Sequence, residues 1–180
     1  HRVSYPSRLQ LIAAMNPCRC GLAGQPGHVC RRGQRCVSDY QARISGPLLD
    51  RIDLRVEVPA VGADELMQPK PGETSAVVAE RVLRARQIQG DRYAALGLSP
   101  ISNAQASNTV IEQVAVLDLK GRALLLEVAN ARKMSARGFH RILKLARTLA
   151  DMDGVDRVER VHVAEAISYR IAGESMADAA

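Results

Sequence analysis

The sequence predicts an α/β segment over residues 1–60, then a linker over 61–75, then an all-helical domain over 76–172. Three patterns carry that expectation. Leu9, Leu11, Ile12, Ala13, Ala14 and Met15 form an apolar run broken only by Gln10, which reads as a strand buried on both faces of a parallel sheet. Leu54-Arg55-Val56-Glu57-Val58 alternates with period two, a second strand. From Ser75 onward apolar residues recur with helical spacing. Aromatic residues make up only 3% of the chain against 47% hydrophobic, so the core must be built from Leu, Val, Ile and Ala, a composition that favours helix.

In chain order, the first strand ends at Asn16-Pro17, because proline cannot donate to a ladder. Asn16 then stands where open α/β sheets present polar groups to ligands, or it simply caps a turn. Residues 17–37 form a Gly-, Arg- and Cys-rich insertion. Ser38 is the expected N-cap of a helix reaching about Ile44, broken by Ser45-Gly46-Pro47. Leu48 to Asp53 makes a compact turn, and Pro59 closes the second strand. Prolines, glycines and charges between Val61 and Ser75 mark the linker.

Thr74 or Ser75 caps a long helix to about Ala95, with Val78, Val82, Ala85 and Ile88 as its apolar stripe. Leu98 to Ser107 reads as a polar connection, followed by helices near Asn108–Val116 and Lys120–Arg132. Ser135 caps the next, to about Asp151; its stripe is Phe139, Ile142, Leu143, Ala146, Leu149 and Ala150, and its other face carries Arg137, Arg141, Lys144 and Arg147. A last helix, Val161 to Ile171, buries Val163, Ile167 and Ile171, and residues 173–180 form a frayed tail.

The net charge of +6 and isoelectric point near 9.5 fit a polyanionic partner, nucleic acid or nucleotide, as well as plain solubility. No apolar run is long enough to cross a bilayer, and the first residues lack the apolar core of a signal peptide, so a cytoplasmic protein is expected. The chain has no initiator Met and reads as a piece of a longer protein. It contains no G-x-x-x-x-G-K-[ST] and no acidic strand end of Walker B type, so it should not hydrolyse ATP alone.

Four cysteines, Cys18, Cys20, Cys30 and Cys36, lie close in sequence. In a cytosolic chain such a cluster is more often a metal site than a disulfide framework, and four thiolates suit zinc. Free thiols are the alternative, and His28 is a substitute ligand. Arg51, between Asp50 and Asp53, is either locally ion-paired or an arginine finger offering a planar fork to a phosphate. Arg137, at a helix N-terminus, either meets a nucleotide phosphate or belongs to a solvated basic face. With Arg141, Lys144 and Arg147 it forms a stripe able to contact a nucleic-acid backbone.

The segments QLIAAMNPCRCG, SGPLLDRIDLRVEVP, MSARGFHRILKLARTLAD and HVAEAISYR occur in this order. On them the chain resembles the C-terminal part of the ComM/YifB family of magnesium-chelatase-like AAA+ ATPases, over nearly its whole length. The resemblance implies the end of an AAA+ core followed by a helical lid, and ATP and Mg2+ as ligands of the full-length protein. It implies that Asn16 is the sensor-1 residue, Arg51 an arginine finger acting in trans in a hexameric ring, and Arg137 the sensor-2 arginine of the lid. Asn16 and Arg137 would then serve one subunit's nucleotide and Arg51 its neighbour's. The cysteine loop corresponds to a zinc-finger-like insertion, though Cys30 and Cys36 stand further apart than the family's second pair usually does. The implied activity is a motor acting on single-stranded or branched DNA, promoting branch migration during natural transformation. A non-catalytic zinc-dependent DNA-binding adaptor and a subunit of a true magnesium chelatase are the alternatives.

Overall fold

The structure is a computed structural model that describes residues 3, 9–23, 30, 32–33, 35–68, 72–99 and 102–171. The described residues fall into two compact units, one before Gly46 and one from Gly46 on. The expected tail, 173–180, and His28 lie outside the described residues.

The first unit is organised by two tight turns that each begin at a cysteine and end at a glycine. The Gly21 N–H donates to the Cys18 carbonyl at 3.0 Å, and the Gly33 N–H to the Cys30 carbonyl at 2.8 Å. Both glycines have positive φ, +78° and +56°, a conformation that a Cβ would oppose. One helix follows, α1 (Arg35–Gln41). It starts three residues before the expected cap: Ser38 lies inside it and donates to the Arg35 carbonyl at 3.2 Å. The Gln41 side-chain amide donates back to the Pro17 carbonyl at 3.4 Å.

The expected strand over Leu9–Met15 is absent. These residues have no regular structure, and Leu9 and Ile12 are 75% and 87% exposed. A strand is made by its neighbours, and no described residue supplies a ladder for this one. Leu54–Val58 is likewise not a strand: Val56 and Val58 are exposed, and one backbone bond, from the Arg55 N–H to the Tyr169 carbonyl at 2.8 Å, ties the segment down. Among the described residues the one strand-like pairing is an isolated parallel bridge, Leu117 with Val158.

The second unit is helical, as expected. The helix before Ser45-Gly46-Pro47 is broken as expected, and a short new helix, α2 (Gly46–Leu49), starts there. Proline is harmless in a first helical turn, where the N–H has no intrahelical partner. Within the expected linker lies a short α3 (Ala63–Met67). Then come α4 (Ser75–Ala95), α5 (Asn108–Val114), α6 (Leu119–Ala131), α7 (Ala136–Met152) and α8 (Arg160–Ile171). Side-chain oxygens of Thr74, Ser107, Asp118 and Ser135 accept from the third residue onward, capping α4 to α7 in turn. At α8 the His162 Nδ1 accepts from the Glu159 N–H at 2.9 Å.

Helix α7 is the hub, packing on α4, α5 and α8, while α6 packs on α8. Ile142, Leu143, Ala146 and Ala150 bury the predicted face of α7 against Leu125, Val158, Val163 and Ile167. Of the stripe predicted for α4 only Ala85 is buried: Val78, Val82 and Ile88 are exposed, and the buried line is Ala85, Gln89 and Tyr93. Burial on α4 is thus confined to its C-terminal half.

The expected polar connection, Leu98 to Ser107, contributes a buried polar centre. Asn103 accepts from the Tyr93 hydroxyl at 2.8 Å. Its amide donates to Thr148 Oγ1 at 3.0 Å and Asp151 Oδ2 at 2.8 Å. Asp151 also accepts from Arg92 Nη1 at 3.0 Å and from Arg147 Nε at 3.0 Å. Arg147 therefore does not face solvent, as the basic-stripe reading had it. It is 1% exposed, and its remaining donors go to the carbonyls of Val155 and Asp156. Removing one partner of a buried, hydrogen-bonded ion pair strands the other, at a cost of about 3–5 kcal/mol. Asp151→Ala should lower the unfolding free energy by about that much, measured by urea titration, whereas Arg84→Ala, at an exposed pair with Glu80, should change it by less than about 1 kcal/mol.

Candidate functional site

Two groups of side chains stand out, one in each unit. In the first, the two Cys–Gly turns and α1 bring four thiols together. The Sγ atoms of Cys18, Cys20 and Cys36 lie within 4.8 Å of one another, and Cys20 and Cys30 are 3.7 Å apart. Tetrahedral zinc with Zn–S bonds of about 2.3 Å sets its sulfurs about 3.8 Å apart, so the cluster is near that size. Cys18 and Cys20 are closer, at 2.9 Å, a hydrogen bond between the two sulfurs that a metal would open slightly. That bond pulls the Cys18 thiol down to about 7 and pushes Cys20 up to about 12. Cys30 is lowered, first by the Arg32 backbone N–H and then by Cys36. Cys18 and Cys36 are buried in a unit with little other core. Cys18, Cys20 and Cys36 thus form a group able to hold a metal ion, with Cys30 beside Cys20, and thiolate donors of this kind would suit zinc. The repeated signal was present in the sequence as C-x-x-G at Cys18–Gly21 and again at Cys30–Gly33.

Asn16 belongs to this unit too. It is exposed, it stands at no strand end, and its Nδ2 lies 3.8 Å from where a Cβ on Gly21 would be. The sheet that would have made it a strand-end residue is not among the described residues.

In the second unit the turn after α2 gathers four arginines around two carboxylates. Arg170 Nη2 donates to Asp50 Oδ1 at 3.1 Å and Arg170 Nη1 to the Ile52 carbonyl at 2.9 Å. Arg137 Nη1 lies 3.9 Å from Asp50 Oδ2, and Arg141 pairs with Asp53. Burial pushes the Arg141 pKa down, and the nearby charges of Arg170 and Arg51 add to this against the opposing pull of Asp50. Arg51 donates from Nη1 to the Pro47 carbonyl at 2.8 Å and is exposed. Its flanking carboxylates are taken by other arginines, so among the described residues Arg51 has no acidic partner. Local pairing, the bland reading of an Arg beside Asp, is therefore not what forms. Arg137 lies near Asp50, the residue that precedes Arg51 in the chain, while the Arg51 guanidinium turns to the Pro47 carbonyl.

The rest of the basic stripe divides. Arg141 joins this turn, Lys144 Nζ donates to the Ala104 carbonyl at 3.1 Å with its pKa lowered by burial, and Arg147 is internal. No continuous cationic face runs along α7. Arg170, which sequence reading did not single out, ties the turn to α8.

Residues 72–170 match the family model described as magnesium chelatase, subunit ChlI C-terminal, and residues 1–66 match magnesium chelatase, subunit ChlI. The chain is 38% identical over 170 residues to competence protein ComM of Haemophilus influenzae, covering 94% of this chain and 32% of that protein. It is 37% identical over 174 residues to YifB of Escherichia coli K12, with the same shares covered. The chain belongs to the ComM/YifB family of magnesium-chelatase-like AAA+ proteins. It spans about a third of the length of these curated relatives. No helix among its described residues is long and apolar enough to cross a membrane.

For this ComM/YifB-family chain the cysteine geometry makes a direct prediction. Purification without chelator should yield about one zinc per chain by atomic absorption, lost in the Cys18→Ser/Cys20→Ser double variant. Since ligation needs thiolates, metal should also be released as pH falls and protons compete for sulfur. A metal-free wild-type protein would count against the site.

Proposed function

We propose that the chain supplies part of a ring-forming AAA+ ATPase, hexameric and cytoplasmic, that moves on single-stranded or branched DNA. Its role would be branch migration as incoming DNA is integrated during natural transformation. Family membership and the likeness to a competence protein support this reading. The observation that carries it is an exposed Arg51 on a turn pinned by other arginines, with no carboxylate of its own. A planar guanidinium held this way is poised for a phosphate oxygen, the task of an arginine finger.

The placement of Arg137 modifies the expected division of labour. Arg137 lies 3.9 Å from Asp50, the residue next to Arg51 in the chain, so both arginines belong to one region of one subunit. We therefore assign both to the nucleotide held by the neighbouring subunit, with Arg51 at the transferred phosphoryl group and Arg137 beside it. Asn16 keeps the sensor-1 assignment on the strength of NPCRCG following the apolar run. ATP with Mg2+ is the proposed fuel. Mg2+ would offset phosphate charge, while the arginines of this chain stabilise the charge that develops on the transferred group. Asp50 orients them.

Arg51→Ala in the full-length protein should lower the ATP turnover number by about 10³–10⁵ while leaving ATP affinity nearly unchanged, the range for loss of an arginine finger. Steady-state hydrolysis and equilibrium nucleotide binding measure the two quantities. Hydrolysis at the normal rate would refute the assignment.

A further inference from the structure

Beside the cysteine cluster lies a basic pocket for which neither the metal nor the nucleotide has a use. It is shallow, about 40 Å3, and is lined by Arg19, Arg32, Cys36, Asp39, Tyr40 and Arg43. Arg19 comes from the first Cys–Gly turn, Arg32 from the second, and Arg43 from just past α1. All three guanidinium groups are exposed, and among the described residues none has a hydrogen-bond or ion-pair partner. Asp39 shares the pocket without pairing with any of them.

We propose that this pocket seats a backbone phosphate of a DNA strand, making the cysteine-rich loop a DNA contact as well as a structural knot. Three positive groups against one negative leave a local excess that attracts an anion. Guanidinium groups around a shallow depression of this kind suit a phosphate rather than the hydrogen-bonding edges of a base, so the proposed contact is to backbone and carries no base specificity. Guanidinium groups suit phosphate because their forked donors match its oxygens. Tyr40, half-buried, lines the same pocket. A strand is the favoured ligand over an acidic peptide, because the arginines surround one small pocket where a single tetrahedral anion can engage several forks. The cysteine turns hold the three arginines from separate stretches of chain in one place, so the contact depends on the fold of the loop.

This inference rests on the reading that the protein acts on DNA, and its test is separable from the test of the ATPase. The probe is a fluorescein-labelled single strand of mixed sequence, about 30 nucleotides long, bound to the full-length protein without nucleotide and followed by anisotropy across a salt series. Each phosphate contact contributes about 0.7 to the slope of log K against log salt on a single strand. The Arg19→Gln/Arg32→Gln/Arg43→Gln variant should therefore flatten the slope by about 2, with zinc content and DNA-free ATP hydrolysis unchanged. Asp39→Asn, which removes the opposing charge and leaves every arginine in place, should tighten binding and guards against misfolding of the triple variant. An unchanged slope with zinc retained overturns the proposal. So does a flattened slope seen only alongside loss of zinc with Asp39→Asn without effect, or displacement by polyglutamate as effective as by unlabelled DNA. None of these outcomes bears on hydrolysis by the Arg51→Ala protein, so the two readings fail independently.

Discussion

Asp50 accepts from Arg170 at the end of α8 and lies against Arg137 at the start of α7, while the next acidic residue, Asp53, is held by Arg141. The turn carrying Arg51 is thereby fixed to two helices of the helical unit rather than hanging as a loop. These helices are themselves positioned by their shared core and by the Asp151 centre, where Arg92, Arg147 and Asn103 converge on one buried carboxylate. Orientation of Arg51 thus traces back through Asp50 to the packing of α7 on α8. A finger must be held in position to contribute to catalysis, because misplacement by an ångström loses most of its benefit.

The two arginine clusters use the same residue type in opposite ways. At Asp151 the charges are inside, where each needs every partner it has and removal of one leaves another stranded. At Asp50 the charges are at the surface, with four guanidinium groups competing for two carboxylates. The excess is local and unneutralised, and Arg51 is the arginine without an acidic partner. The inner cluster holds the domain together, and the outer one is left with charge to offer a ligand.

What the sequence disclosed follows the range of the interactions involved. Thr74 and Ser135 were legible as caps because a cap is completed within four residues. The apolar face of α7 was legible because its period is regular. The strands were not, because alternation and apolar runs say that a segment can pair, while the ladder depends on chain elsewhere; Leu9–Met15 and Leu54–Val58 find none among the described residues. Val78 and Val82 have the right spacing for burial but lie on the N-terminal half of α4, where no residue before Ala85 is buried among the described residues. Arg147 was misread as part of an exposed stripe. Ten residues after Arg137 the helix has turned about 80° off the starting face, onto the buried side. Its partner Asp151, four residues on, was a readable clue. Of the site, the four cysteines were visible as a cluster, whereas the isolation of Arg51 was not, because Asp50 and Asp53 stand beside it in sequence and left local pairing open. That Arg137 and Arg170 share Asp50 was not, because that contact joins residues far apart in the chain.

The account turns on Arg51 acting across a subunit boundary. It is tested most directly by mixing two inactive full-length proteins, one carrying Arg51→Ala and the other lacking the lysine that binds ATP phosphates, under conditions where subunits exchange. If the finger works in trans, rings containing both should regain hydrolysis, because some interfaces then pair an intact nucleotide pocket with an intact Arg51. A mixture as inactive as either protein alone, with exchange verified, would contradict it.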